Sequence, residues 1–486
     1  MQTITSDTHQ FLHGITQTRQ IEQLAAAQLP PHALMQRAGL AVARLALALA
    51  PHAQHIWVAC GPGNNGGDGL EAALHLSRWG KQPVVTWLGH PDRVPADTAA
   101  AYQRALAAKI LFSAEPIGEF DLCIDALLGI GTQLREPHQR MANWITRLNT
   151  SAVPVLAIDV PSGLHADTGQ TTALHVQASH TLSLLTLKPG LFTAHGRDAA
   201  GTVWLDTLGV DPAGLNSVPP IARLPGRAGQ ITRPHASHKG TFGDVAVVGG
   251  APGMTGAALL AASAALHAGA GRVFVALLDD NAITVDTQQP ELMFRPVQAL
   301  DLAAMTVVCG CGGGTAVSAC LPQILATSSR VVLDADAINT IAKETTLQAA
   351  LLDRHTRQTV TVLTPHPLEA ARLLGVTTAQ IQGDRLTAAQ TLSQRFACTV
   401  VLKGSGTVIA APGQLPVINP TGNARLATAG TGDVLAGMVG ARLATGLSAF
   451  DAACQAVYNH GQRADDWPAS QVLTASRLAS STPPAP

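Results

Sequence analysis

Short apolar runs rich in β-branched residues alternate with stretches of helical period along almost the whole chain, and this alternation constrains the fold more than any other feature. Ile56-Trp57-Val58, Val84-Val85-Thr86, Leu122-Cys123-Ile124 and Val155-Leu156-Ala157-Ile158 are such runs, with helical stretches at 21–29, 34–49, 70–79 and 141–148. Alternation of this kind reads as βαβ units around a mostly parallel sheet. Runs apolar on both faces need a sheet covered on both sides. The pattern stops once, between 211 and 237, where Pro212, Pro219, Pro220, Pro225 and Pro234 crowd together with Gly214, Gly226 and Gly229. It then restarts, with strands expected at 245–248, 273–277, 307–308, 331–333, 361–363 and 400–402 and helices at 256–267 and after Gly432. The expected organisation is an α/β domain over 1–213, a boundary or linker over 214–236, a second α/β domain over 237–475 and a disordered tail over 476–486. No motif of one half recurs in the other, so the halves read as a fusion rather than a duplication.

The core of such layers must come from small and aliphatic side chains, because 47% of the 486 residues are hydrophobic and only 3% aromatic. Lys and Arg number 31 against 32 Asp and Glu, a formal net charge of −1. A balanced chain has no field to hold nucleic acid or an anionic membrane surface. Its hydrophobic content argues against disorder throughout. Residues 1–14 have no basic start and no apolar stretch, so no signal peptide is expected. The best membrane-span candidate, 256–278, is interrupted by His267 and Arg272, whereas a span needs about 20 predominantly apolar residues. Seven cysteines, at 60, 123, 309, 311, 320, 398 and 454, form no CxxC pair and read as reduced thiols of a cytoplasmic protein. Cys309 and Cys311 lack a second pair of ligands and read as buried small hydrophobes rather than a metal site.

In the first half, Gly61-Pro62-Gly63-Asn64-Asn65-Gly66-Gly67-Asp68-Gly69 follows a strand and precedes a helix expected to begin at Leu70. Glycines there allow positive φ and close approach of a ligand, and the helix start offers free N–H groups to an anion. Gly61 to Gly66 has dinucleotide-loop spacing, but the next strand ends without the acidic residue that would hold a ribose. Asp125 and Asp159 each end an apolar run and are followed by Leu128-Gly129-Ile130-Gly131-Thr132 and Val160-Pro161-Ser162-Gly163. Carboxylates at the carboxyl ends of neighbouring parallel strands converge on one crevice, although an aspartate there can also simply cap the following turn.

The segments GPGNNGGDG, DALLGIGT, DVPSGLHADTG and LTLKPG, with ALMQRAG upstream, resemble the NAD(P)H-hydrate epimerase family over roughly 10–210. The resemblance implies a Rossmann-like αβα domain that interconverts the R and S epimers of hydrated NAD(P)H. It places substrate contacts on Asn64, Asn65, Gly66, Gly67 and Asp68, on Gly129, Ile130, Gly131, Thr132, Gln133, Leu134 and Arg135, and on Asp159. It also implies a potassium site at Asn65, Asp125 and Ser162, whose hard oxygen donors suit a monovalent cation better than zinc. Asp159 is the candidate acid/base for the proton shuttle that epimerisation requires.

In the second half, Thr428-Ala429-Gly430-Thr431-Gly432-Asp433 sets two glycines and an aspartate at a helix start. Its N–H groups can hold a transferring phosphoryl oxygen, and the aspartate can take a proton from an attacking hydroxyl, or cap the helix. Lys403-Gly404-Ser405-Gly406-Thr407 follows one strand and Thr364-Pro365-His366-Pro367 another. HKGTFGDVAVVGG, DADAIN, LTPHPLEAARLLG, VLKGSGT and GNARLATAGTGDVLAG together resemble ADP-dependent NAD(P)H-hydrate dehydratases, of ribokinase-like α/β fold, over about 232–465. That likeness implies nucleotide contacts at Lys403, Gly404, Ser405, Gly406, Thr407 and Gly432, hydrate contacts at Ala257, Gly313, His366 and Asp433, and Asp433 as catalytic base. It further implies ADP as co-substrate and Mg²⁺ at the phosphates. Where that family has a GPGLG-type turn this chain has Gly310-Cys311-Gly312-Gly313-Gly314, and where it often has HPGE this chain has His366-Pro367-Leu368-Glu369. The expected partners are hydrated NADH or NADPH and ADP, with a homo-oligomer and no nucleic acid or membrane. The rival reading is a ribokinase-like small-molecule kinase fused to a non-catalytic dinucleotide-binding module.

Overall fold

Ile56, Val58 and Cys60 pack into one buried cluster and Trp57 and Ala59 into another, so a single strand supplies the cores on both faces of its sheet. That is the expected consequence of runs apolar at every position. The computed structural model describes residues 1–131, 135–211, 218–229, 234–281 and 283–480. The chain divides into two units, Met1–Arg223 and Leu224–Pro486.

In the first unit, strands run across the sheet in the order Gln2–Thr3, Thr202–Asp206, His180–Leu184, Val155–Ile158, Leu122–Ala126, His55–Cys60, Gln82–Trp87 and Leu111–Ser113. All neighbours are parallel except the first pair. The chain builds outward from His55–Cys60 to one side, then returns to add Leu122–Ala126 on the other. The reversal opens a crevice at the carboxyl ends of those two strands, where open α/β sheets bind ligands. Helices Ala33–Leu49 and Asn64–Arg78 pack against one face, and Gln139–Asn149, through Met141, Trp144, Ile145 and Leu148, against the other.

The second unit repeats the plan with other residues. Its strands run Met293–Phe294, Arg272–Leu277, Asp244–Gly249, Thr306–Cys309, Arg330–Leu333, Val360–Leu363, Thr399–Leu402, Val408–Ala410 and Val417–Ile418, the last two joined antiparallel. The reversal here lies between Asp244–Gly249 and Thr306–Cys309. The core is mostly Ala and Val, and helices Thr255–His267 and Thr431–Ala444 approach closely because a Cβ on Gly437 would meet the Ala261 carbonyl oxygen at 2.0 Å.

The apolar stretch 256–278 is, as expected, a helix, Thr255–His267, followed by a strand, Arg272–Leu277, and no helix among the described residues is long and apolar enough to cross a membrane. Two sequence expectations change. Residues 475–480 form a helix rather than a disordered tail, because Ala475, Leu478 and Ala479 share one helical face and bury in the core; 481–486 lie outside the described residues. Within the expected boundary, Ala222–Pro225 is a strand with Ala222 and Leu224 buried, and 212–217 and 230–233 lie outside the described residues.

The helix expected from Leu70 starts six residues earlier, at Asn64, so the run from Asn64 to Gly69 is helical. None of Gly61, Gly63, Gly66, Gly67 and Gly69 has a positive φ. Crowding explains them instead: a Cβ on Gly61 would meet the Leu127 carbonyl oxygen at 1.7 Å, and one on Gly66 the Gly61 oxygen at 2.0 Å. Gly63 has nothing within 4 Å of the same position. Gly61→Ala is therefore expected to destabilise the first unit by about 2 kcal/mol or more through overpacking, while Gly63→Ala leaves it near wild type. Urea unfolding followed by circular dichroism compares the two.

Candidate active sites

The crevice of the first unit closes into a cavity of about 630 Å³, lined among others by Asn64, Asn65, Asp68, Gly129, Ile130, Gly131 and Asp159. Gly66 and Gly67 lie behind this wall, against Gly61 and Met35. Arg135 is exposed and outside the lining, and Thr132, Gln133 and Leu134 lie outside the described residues. The wall starts near Gly61, whose carbonyl accepts from Trp87 Nε1 at 3.1 Å, and the helix has Gly63 at its N-cap, with no side-chain cap. First-turn N–H groups without a side-chain cap favour an anionic guest.

Asp159 follows Val155–Ile158 with φ +68°, a left-handed conformation that costs a non-glycine residue about 1 kcal/mol or more. The fold holds it there. Its N–H donates to Leu182 O at 2.8 Å, and its carboxylate accepts from Leu184 N at 3.2 Å and from the Lys188 ammonium. Lys188 is wholly buried and also donates to Leu184 O at 2.8 Å, Thr186 O at 3.0 Å and Ser183 Oγ at 3.3 Å. A buried ion pair is tolerated only with such additional hydrogen bonds. Across the cavity, burial and then the negative charges of Asp159 and Glu22 push the Asp68 carboxyl well above the usual carboxylate range. A carboxyl of raised proton affinity and a carboxylate held by an ammonium thus face one cavity, a combination suited to moving a proton in either direction.

Asp125 and Ser162 bond to each other, while Asn65 lies against Gly129 and shares Leu128 as a partner with Ser162. Asp125 is fully buried and accepts from Ser162 N at 2.8 Å, Ser162 Oγ at 2.6 Å and Leu127 N at 3.2 Å. Asn65 Nδ2 donates to Leu128 O at 3.0 Å. Burial outweighs these hydrogen bonds and pushes Asp125 up to about 6. Among the described residues no cationic side chain hydrogen bonds or pairs with Asp125.

At the second unit's site, the N–H groups of Gly250 and Ala251 donate to the carbonyls of Cys311 and Gly312 at 3.0 and 2.7 Å. A Cβ on Gly312 would meet Ala257 Cβ at 2.8 Å, so expected contacts Ala257 and Gly313 lie on adjoining segments. Asp334, buried after Arg330–Leu333, accepts from Lys403 Nζ and Thr364 Oγ1, both at 2.7 Å. A Cβ on Gly432 would lie 3.3 Å from Lys403 Nζ. One oxygen each of Asp334 and Asp433 and the Cys311 sulfur lie within 4.8 Å of one another. Burial, then the Asp334 charge, lifts Asp433 to about 7. Helix Thr431–Ala444 has Gly430 at its N-cap (φ +89°) and no side-chain cap.

Residues Lys403–Thr407 form a turn between two strands, where Thr407 Oγ1 donates to Gly404 O at 3.0 Å. Buried Arg385 holds that turn from beneath through Leu402 O and Lys403 O at 3.1 and 3.2 Å. Ser405 and Gly406 lie in the same turn. His366 caps helix Pro367–Leu374: its Nδ1 accepts from Leu368 N at 3.1 Å, and its Nε2 lies 3.1 Å from Glu369 Oε1. Its imidazole therefore has a structural task at this site.

Sequence reasoning did not single out Lys188 or Asp334, and it treated Cys311 only as a hydrophobe. LTLKPG and DADAIN carried the signal: a basic residue just after one strand and a carboxylate at the end of another, the pattern that did mark Asp125 and Asp159.

A family described as YjeF-related protein N-terminus matches residues 31–190, and one described as NAD(P)H-hydrate dehydratase matches 245–484. The chain is 37% identical over 448 residues to the Escherichia coli bifunctional NAD(P)H-hydrate repair enzyme Nnr, an alignment covering 89% of this chain and 84% of that protein. It is 35% identical over 472 residues to the Coxiella burnetii protein of the same name, covering 93% and 94%. The second half is 45% identical over 260 residues to an ADP-dependent (S)-NAD(P)H-hydrate dehydratase of Neisseria meningitidis, covering 52% of this chain and 86% of that one.

The Asp125 geometry carries a stability prediction. Because the folded unit binds this proton more tightly than the unfolded chain, at about 6 against 3.8, the contribution is full below about pH 4 and lost as pH rises through about 6. Relative to Asp125→Asn, the wild type is expected to lose about 3 kcal/mol of stability over that window in potassium-free buffer. Urea unfolding at both ends of the window measures it.

Proposed function

The chain belongs to the family of bifunctional NAD(P)H-hydrate repair enzymes, and from that premise we propose that its first unit interconverts the R and S epimers of hydrated NADH or NADPH while its second dehydrates the S epimer at the expense of ADP. What carries the reading is that each unit presents, at its own sheet's reversal point, the groups its reaction needs. Relatives spanning both halves make a small-molecule kinase joined to a passive binding module the weaker reading.

Epimerisation needs a proton moved at the hydrated nicotinamide carbon. Asp159 is the acid/base: its backbone is locked at the cavity wall and its carboxylate is aimed by Lys188. Asn64, Asn65, Asp68, Gly129, Ile130 and Gly131 line the cavity that takes the substrate, with Gly66 and Gly67 backing its wall; the family likeness also assigns contacts to Thr132, Gln133, Leu134 and Arg135. Potassium would be held by Asn65, Asp125 and Ser162. The donor set fits it, since a buried carboxylate with a raised pKa and neighbouring amide and hydroxyl oxygens offers hard ligands and an uncompensated charge. Bound there, the ion would supply positive charge beside the anionic substrate.

Dehydration faces a poor leaving group, hydroxide, and phosphorylation converts it to a good one. In this reading Asp433 takes the proton of the hydrate's ring hydroxyl as that oxygen attacks the β-phosphorus of ADP, and AMP leaves. The N–H groups at the start of Thr431–Ala444 receive the phosphoryl oxygens. Lys403, Gly404, Ser405, Gly406, Thr407 and Gly432 hold the nucleotide, and Ala257, Gly313 and His366 the hydrate. Phosphate then departs by elimination, restoring the reduced dinucleotide. Mg²⁺ shields the phosphates and would enter with them, the usual mode for this ion. The Cys311, Asp334 and Asp433 cluster is no cage for it, since Cys311 is a soft ligand whose thiol burial pushes well above its usual range. The reading keeps the protein in the cytoplasm as a homo-oligomer acting on small molecules; its balanced charge supports only the part that excludes nucleic acid and anionic membrane as partners.

Asp159→Asn is expected to slow R-to-S conversion by about 100-fold or more while hydrate binding persists, measured by separating the epimers chromatographically. Unchanged conversion sinks the assignment. For dehydration, kcat/KM should rise with pH through about 7 and then level off, as Asp433 loses its proton. Asp433→Asn should abolish the reaction while leaving epimerisation intact.

A further inference from the structure

The peptide between Thr431 and Gly432 is bonded on one side and open on the other. Its carbonyl, Thr431 O, accepts from the ring Nε2 of His460 at 2.9 Å. Its N–H, on Gly432, meets no acceptor among the described residues, because it falls in the first turn of helix Thr431–Ala444, where no earlier helical carbonyl can reach it. Gly432 itself borders the second site, where a Cβ on it would lie 3.3 Å from Lys403 Nζ. We propose that His460 is a positioning residue for dehydration: by donating to the Thr431 carbonyl it orients and polarises this one peptide, and the Gly432 N–H then stabilises the phosphoryl group in transfer. The proposal deepens the dehydratase reading and rests on it for the reaction concerned.

His460 lies in helix Ala449–Asp465 and is buried, so it acts through the backbone. Burial pushes its imidazole down to about 4, and near neutral pH the ring therefore carries one proton. A carbonyl acceptor requires that proton on Nε2. A carbonyl that accepts a hydrogen bond draws electron density through its amide, which makes the N–H of the same peptide a stronger donor. Here that N–H belongs to Gly432, among the helix-start groups that receive the phosphoryl oxygens. A preorganised donor is worth most where negative charge builds in the transition state. The effect of His460 falls on kcat more than on ground-state binding.

Other contacts hold the chain itself in place. Thr421 Oγ1 donates to Tyr458 O at 2.9 Å, Asn423 Nδ2 to Ala464 O at 2.9 Å and Gly422 N to Asp465 Oδ2 at 2.7 Å. A Cβ on Gly461 would meet Thr421 Oγ1 at 2.2 Å, so the segment before the helix rests directly on the turn that carries His460. The Thr431 hydroxyl lies 2.8 Å from Leu426 O and 2.9 Å from Thr428 O. These bonds fix the position of Thr431 without the imidazole. What the imidazole adds is the tilt and the polarity of one peptide, and small errors of orientation at a reacting centre cost rate.

His460→Gln and His460→Asn separate the donor from the space it fills, since a Gln amide reaches the Nε2 position and an Asn amide only the Nδ1 position. In the full-length protein, with S-NADH hydrate, ADP and Mg²⁺, His460→Asn should lower kcat for dehydration about tenfold, less than the roughly 100-fold or more that loss of a whole anion-hole donor costs. KM for the hydrate should stay near wild type. His460→Gln should restore most of the lost rate, and epimerisation should be unchanged in both. By calorimetry, the affinity for ADP relative to AMP should fall about threefold in His460→Asn. A wild-type kcat in His460→Asn, or equal losses in the two variants, overturns the proposal. Should His460→Asn fail to fold, the near-isosteric His460→Gln decides alone, and a folded Gln variant at about a tenth of the wild-type rate refutes it. If the wild type binds ADP but dehydrates nothing, the dehydratase reading has failed instead; an unchanged ratio of ADP to AMP affinity in His460→Asn then refutes the role of His460. No binding of ADP by the wild type refutes both.

Discussion

Both units depend on one physical arrangement, an aspartate at the end of a buried parallel strand whose charge is met by a lysine arriving from a later part of the chain. Lys188 meets Asp159 in the first unit, and Lys403 meets Asp334 in the second. Each ion pair is taken largely out of water, which is costly unless further hydrogen bonds complete it. In the first unit the ammonium is completed by carbonyls of its own connection, and in the second the carboxylate is completed by Thr364. The arrangement fixes side chains at the carboxyl ends of the strands, and near it burial, with the charge of Asp159 or Asp334 second, raises the proton affinity of Asp68 and Asp433. The chemistry proposed for each site uses that contrast between a carboxylate fixed by a cation and a carboxyl held close to neutrality.

Much of this was legible in the sequence because it follows from local pattern. Fully apolar β-branched runs announced strands covered on both faces, and the single proline-rich interruption announced a division of the chain. Asp125 and Asp159 were legible because a carboxylate directly after an apolar run has few other places to go. The two likenesses supplied what pattern could not, namely which chemistry such strand-end groups perform.

What stayed hidden was set by distance. The glycine run read as a loop because glycine is a poor helix former, yet close approach to the Gly61 carbonyl and to Met35 requires glycines at 66 and 67, inside the first helical turn. Helix Ala475–Ser480 was masked by the small, polar, proline-rich segment after it, although Ala475, Leu478 and Ala479 have helical spacing. Lys188 and Asp334 gain their meaning from partners 29 and 69 residues away. Cys311 read as a small hydrophobe, and only the fold brings its sulfur beside two carboxylates.

Two active sites in one chain make chemical sense if the second accepts one epimer and the first converts the other. The direct measurement is recovery of reduced-nicotinamide absorbance from a mixture of R and S NADH hydrate, with ADP, Mg²⁺ and K⁺ supplied to the full-length protein. The account predicts complete recovery, continuing past the share that the S epimer alone can give. Recovery that stops at that share would contradict a catalytic first unit, and no recovery with either ADP or ATP would contradict the dehydratase.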